Sequence, residues 1–177
     1  MRQNLRLFVI GVVVILETYP AHRVVALQPG PATAIVSPLT IAASSASDHF
    51  TVGSPIPVVI TLTNVSRAPI SFEIDYPNAE YHLFRFSLTT NGKEEPKTAF
   101  HRAITGEYLP GDPAIEAGGG SDVYTLKPGQ HVQYPVDVKK LYSITQPGSY
   151  LFSVTMAANI DNKGDINSKP LQLTVVR

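Results

Sequence analysis

The sequence predicts an all-β fold: an antiparallel, immunoglobulin-like sandwich of about seven or eight strands with one long insert loop. Three observations predict it. Apolar and polar residues alternate with period two over several segments, as in strands with one buried and one wet face. Turn-forming residues, chiefly Pro, Gly and Asn, stand between those segments. No stretch carries the pattern of a helix of ordinary length, so crossover helices of a parallel sheet are not expected.

Ahead of the first strand, the chain reads as an export leader. Arg2 and Arg6 are followed by ten apolar residues, 7–16 (LFVIGVVVIL). That run suits the core of a signal peptide and is short for a membrane span, which needs about 20 residues. Val24 and Ala26 put small residues before a cleavage point after Ala26. A signal peptide over 1–26 and a flexible lead-in over 27–34 (LQPGPATA) are therefore expected, with the sandwich over 35–177. Cleavage would leave 151 residues with 11 basic and 13 acidic side chains, a net charge of about −2. Such a charge offers no attraction to nucleic acid. The expected location is secreted or periplasmic, with a membrane involved only if the leader is retained. Cysteine is absent, which removes disulfides, thiolate metal sites and thiol chemistry together.

The strands follow in order. Residues 35–41 and 49–52 are weak candidates. In 57–63, Val58, Ile60 and Leu62 share a face; in 70–76, Ile70, Phe72, Ile74 and Tyr76 do. In 82–90 the inward residues are Phe84, Phe86 and Leu88, and in 131–138 they are Val132, Tyr134, Val136 and Val138. In 150–157 they are Tyr150, Phe152, Val154 and Met156, and in 171–175 Leu171, Leu173 and Val175. Residues 64–67 (NVSR) join two alternating runs as a hairpin loop would. Asn91-Gly92 is a type I′ hairpin signal, because both residues tolerate positive φ. Lys127-Pro128-Gly129 and Gln146-Pro147-Gly148 read as turns with glycine at the second central position. Residues 161–165 (DNKGD) read as a loop. Pro57, Pro135 and Pro170 suggest edges or bulges. Residues 138–145 (VKKLYSIT) suit a single helical turn.

Tyr150 follows Pro147-Gly148 directly. In immunoglobulin-like sandwiches a tyrosine at such a place locks the corner between sheets through its hydroxyl. Tyr142 is the rival for that role, and a plain core aromatic is the alternative.

The stretches GSPIPVVITLTNVS, NGK, LKPGQ and DVKKLYSITQPGSY occur in an order that resembles immunoglobulin-like domains of exported bacterial proteins of unassigned function. More distantly, residues 50–176 are similar to the N-terminal β domain of deuterolysin-type zinc proteases and to the bacterial intracellular proteinase inhibitor family. The resemblance implies sandwich architecture. The HExxH motif of the deuterolysin catalytic domain is absent, so its activity is not implied.

Little else points to chemistry. His49, His82, His101 and His131 are scattered, with no metal-binding spacing. Asp48-His49 and Ser121-Asp122 are fragments of a triad without the Gly-x-Ser-x-Gly elbow. The 161–165 loop has lysine and glycine where a calcium loop needs oxygen ligands. Asn64-Val65-Ser66 matches a glycosylation acceptor in an expected, exposed turn. A non-catalytic protein without cofactor or metal is expected.

One region asks for a role. Residues 93–124 make a connection of 32 residues, against a usual length of about 4–6. Phe100, His101, Arg102 and Tyr108 within it are candidate contacts, with Tyr76 and Tyr81 in a second loop, 76–82. Two readings are open: a recognition surface for an extracytoplasmic protein or surface ligand, or a cover over a sheet edge anchored by Phe100 and Ile104. A proteinase-inhibitor-like loop within 93–124 is the alternative to a general binding module.

Overall fold

The structure, a computed structural model, describes residues 37–75, 79–113, 120–156 and 164–177. The expected leader and lead-in, Tyr76, and most of the 161–165 loop lie outside the described residues. Strands β1 (Leu39–Ser44), β2 (His49–Thr51), β3 (Pro57–Asn64) and β4 (Ile70–Asp75) come first. Helix α1 (Ala79–Leu83), strands β5 (Arg85–Thr90) and β6 (Lys93–Glu94), and helix α2 (Ala99–Ile104) follow. Strands β7 (Ser121–Leu126) and β8 (His131–Asp137), helix α3 (Val138–Leu141), and strands β9 (Gly148–Met156), β10 (Ile166–Asn167) and β11 (Leu171–Val176) complete the order. Eight of these strands have six residues or more, and they build the antiparallel sandwich.

One sheet runs β1-β3-β8, a second β2-β11-β9-β5-β6 with β10 beside β9, and β4 and β7 form a separate two-stranded sheet. The β2–β11 pair is parallel. The alternating faces meet in one core. Val58, Ile60 and Leu62 of β3 and Tyr134 and Val136 of β8 belong to the same buried cluster as Phe86, Leu88, Phe152, Val154, Leu173 and Val175 of the other sheet. Burying each such side chain is worth about 1.5–3 kcal/mol, so a strand shifted by one residue would forfeit its whole inner set. Pro135 lies in β8, at an edge of its sheet, where its missing N–H breaks no inner ladder. Asn91 and Gly92 both have positive φ and join Thr90 to Lys93 in a two-residue hairpin.

Residues 64–67 do not form a hairpin. β3 pairs with β8 and β4 with β7, and the second ladder follows on from the first. Continuing from Thr63 opposite His131 would set Ile70 opposite Tyr124; the observed partner is Leu126, a slip of two residues. Asn64 fills the break and is 0% exposed. Its Nδ2 donates to the carbonyls of Ala68 and Leu126, both at 2.8 Å. Its Oδ1 accepts from the Ser66 N–H and hydroxyl, at 2.9 and 2.8 Å. The glycosylation acceptor is therefore closed in the folded protein, contrary to the exposed turn expected, because the ladder break needs a side chain that both donates and accepts.

Other expectations are corrected. The strand expected over 82–90 begins at Arg85, since His82 and Leu83 end α1. The first strand lies at 39–44 rather than 35–41. Gly148 is not a turn residue: it opens β9 opposite Val175, and only Gln146 bends. The 93–124 stretch is no plain loop, for it contains β6, α2 and most of β7. The single turn is present as α3, whose cap Asp137 accepts from Lys139 N–H at 3.0 Å and Ile56 N–H at 2.9 Å.

Two tyrosines tie the passage from β8 to β9. Tyr150 donates its hydroxyl to the Gln146 carbonyl four residues back, at 2.6 Å. Tyr142, fully buried, donates to the Phe86 carbonyl across the core at 2.8 Å. Tyr150 thus makes the local bond of a sandwich corner, and Tyr142 a long-range bond between the α3 segment and β5.

Candidate functional site

The segment 96–113 is built from its caps outward. Thr98 stops the extended chain and starts α2: its Oγ1 accepts from His101 N–H at 3.1 Å and donates to the Lys140 carbonyl at 2.5 Å. Backbone bonds from Thr98 N–H to Leu141 and from Ser143 N–H to Pro96 fasten this entrance to α3. The helix ends in a Schellman motif. Glu107 N–H donates to Arg102, and Gly106 N–H to Ala103, with Gly106 at φ +74°.

Beyond that cap, Leu109-Pro110-Gly111-Asp112 closes on itself. Asp112 N–H donates to the Leu109 carbonyl at 3.0 Å and Gly111 has φ +93°, the geometry of a type II turn. The Asp112 carboxylate then turns back. It accepts from Arg102 Nε at 2.8 Å, from Arg102 Nη2 at 2.5 Å and from Leu109 N–H at 2.9 Å. Arg102 Nη1 also donates to the Lys97 carbonyl at 2.7 Å. These bonds, led by Arg102, hold the Asp112 carboxyl well below its usual range, at about 2. Lys97 bonds Glu107 at 2.6 Å across the base of the same turn and holds that carboxyl low. The result is a turn braced from within that leaves Tyr108 54% and Leu109 55% exposed.

The candidate contact residues are thus divided. Tyr108 is on the surface. Tyr81 and His101 are buried and Phe100 is half-buried, so they do not share an outer surface with Tyr108. Phe100 meets Tyr81 edge-on, at 5.1 Å between centroids. His101 meets Tyr142 edge-on at 4.9 Å and Phe86 at 6.3 Å, and its Nδ1 donates to the Leu141 carbonyl at 3.2 Å. Arg102 spends its guanidinium on Asp112 and Lys97. Tyr76 lies outside the described residues. Leu109, Asp112 and Lys97 were not foreseen. The order Leu-Pro-Gly-Asp is a turn signal that singles out two of them.

The triad fragments are not brought together. His49 pairs with its neighbour Asp48 at 2.7 Å on β2, whereas Ser121 on β7, in a different sheet, donates to Glu73. Among the described residues no cluster of three His, Asp or Glu is placed to hold a metal ion.

No protein-family model matches the chain, and no curated protein matches it. Among solved structures it is similar to alpha-2-macroglobulin of E. coli, at 13% identity and a TM-score of 0.40, over 80% of this chain and 7% of that one. It is similar to a β-glucosidase from Listeria innocua at 12% identity and TM-score 0.38, over 78% of this chain and 16% of the enzyme. It is also similar to Spo0M, a sporulation control protein from Bacillus subtilis, at 11% identity and TM-score 0.38, over 80% of this chain and 51% of that one. The chain spans about half of Spo0M and much less of the others.

Proposed function

We propose that the protein is a non-catalytic binding module of the extracytoplasmic space that presents the 105–112 turn to a protein partner. The observation that carries this reading is exposure joined to bracing. Tyr108 and Leu109 face solvent on a backbone already fixed by the Arg102–Asp112 pair. An exposed tyrosine on a preorganised backbone loses little entropy when it is covered, which favours recognition. A sandwich of this kind hosts many roles, and the braced turn is the feature that favours this one.

The test is photo-crosslinking in the producing organism, with benzoylphenylalanine in place of Tyr108. One discrete protein adduct is expected, weakened by Asp112→Asn. The same probe at Leu151, exposed on β9, serves as control. No adduct at 108, or the same adducts from both positions, would sink the reading.

The bracing also favours the narrower reading of a proteinase-inhibitor-like turn, since a rigid exposed turn resists the bending that cleavage requires. Endopeptidases of the serine, cysteine and metal-dependent classes would be assayed with the intact protein and with Asp112→Asn. Inhibition that depends on Asp112 supports this use; no inhibition in any class removes it and leaves the general binding role.

A further inference from the structure

A cleft of about 400 Å³ opens between α1, β5 and α2. Tyr81, Phe84, Phe86 and Ile104 give it apolar lining, and His101 is part of its wall. This size lies within the usual range of small-molecule pockets, about 300–1,000 Å³.

His82, Arg85, Lys97, Thr105 and Glu107 complete the lining, and the Thr105 hydroxyl is spent on the carbonyls of His101 and Arg102. A carbonyl oxygen only accepts, so the bond to Leu141 requires the His101 proton to sit on Nδ1. The other nitrogen, Nε2, is then a bare acceptor, and among the described residues it has no hydrogen-bond partner. His101 as a whole is only 1% exposed. An acceptor in the wall of the cleft that has no protein donor is a place for one donor from a ligand. The cations that line the cleft are already matched: Lys97 with Glu107 and Arg85 with Asp165. Nothing there calls for a charged ligand.

We infer that this cleft binds a small, uncharged, mainly aromatic molecule that donates a single N–H or O–H to Nε2 of His101. The inference does not rest on the role of the 105–112 turn.

The protein has no tryptophan, so indole is a probe whose emission is read against tyrosine alone. The full chain is titrated with indole, and with 1-methylindole, which has the same ring system and no N–H. Indole is expected to bind about tenfold more tightly, the effect of one hydrogen bond. In His101→Phe, which keeps a ring against Tyr142, that preference should vanish. Ile104→Phe, which fills the cleft without touching His101, should weaken both probes. Thermal melts establish that each variant is folded. Equal binding of the two probes to the unaltered protein, binding of neither, or a preference that survives in folded His101→Phe would each overturn the inference. The comparison on the unaltered protein decides the matter even if His101→Phe does not fold.

Discussion

Replacing Asn64 by alanine removes four hydrogen bonds at the ladder break. The bond to Leu126 is buried, so its carbonyl is left without a donor at a cost of about 1–3 kcal/mol. The bonds to Ala68 and Ser66 are only partly buried, and water replaces part of what is lost. The total is about 2–4 kcal/mol. At roughly 3 °C per kcal/mol for a protein of this size, the melting temperature should fall by about 6–12 °C. The assay is thermal unfolding followed by circular dichroism. Asn64→Asp sharpens it, because it keeps the acceptor and the shape but turns a carboxylate oxygen toward two carbonyls. It should destabilise at least as much as Asn64→Ala. A fall below about 2 °C for alanine, or an aspartate variant as stable as the parent, would refute the view that Asn64 pins the two ladders together.

Three further outcomes follow from particular bonds. Tyr142→Phe should cost about 1–3 kcal/mol and more than Tyr150→Phe, because the Phe86 carbonyl is stranded in the core whereas Gln146 is half open to water; urea unfolding of both variants checks the order. The Asp112 carboxyl is held at about 2, below its ordinary 3.8, so the turn's bracing is complete above pH 4 and lost as pH falls toward 2; the Leu109 amide resonance should titrate with a midpoint near 2. Burial, with Lys97 nearby, pushes the His101 imidazole below its ordinary 6.5 against the opposing pull of Leu141 and Glu107. The unfolded chain then takes up a proton that the folded one does not, so stability should decline as pH drops below 6.5, and His101→Phe should flatten that decline in melts across pH 4–8.

Most of the sandwich was legible because burial on one face writes itself as period-two alternation. β3, β8, β9 and β11 each carry three or four inward residues, enough to set the pattern. β7 was not legible. Five of its six residues are exposed, so residues 121–124 read as the end of the 93–124 connection, and only its pairing with β4 makes it a strand. Helices α1 and α2 have five and six residues, too few for a 3.6-residue period to show. Thr98 was the available signal for α2, a capping residue three positions before His101. The same blindness misplaced the contact residues. Phe100, His101 and Arg102 read as one exposed cluster, but a single helical turn sends His101 into the core and Arg102 back onto Asp112. Gly148 reads as a turn from its Pro-Gly pair, yet its pairing opposite Val175 makes it the first residue of β9.

The parallel pairing of β2 with β11 bears on how the chain reaches its fold. It joins Thr174 to His49, residues 125 positions apart. A ribosome makes β2 early, and its partner emerges only after nearly everything between them has been synthesised. β9 waits as well, since β11 is its neighbour on one side. Closing so long a span carries an entropic cost that local contacts cannot offset, which slows folding and leaves apolar strands open in the meantime. The last strand therefore acts as a clasp: the nascent protein stays open until that strand arrives.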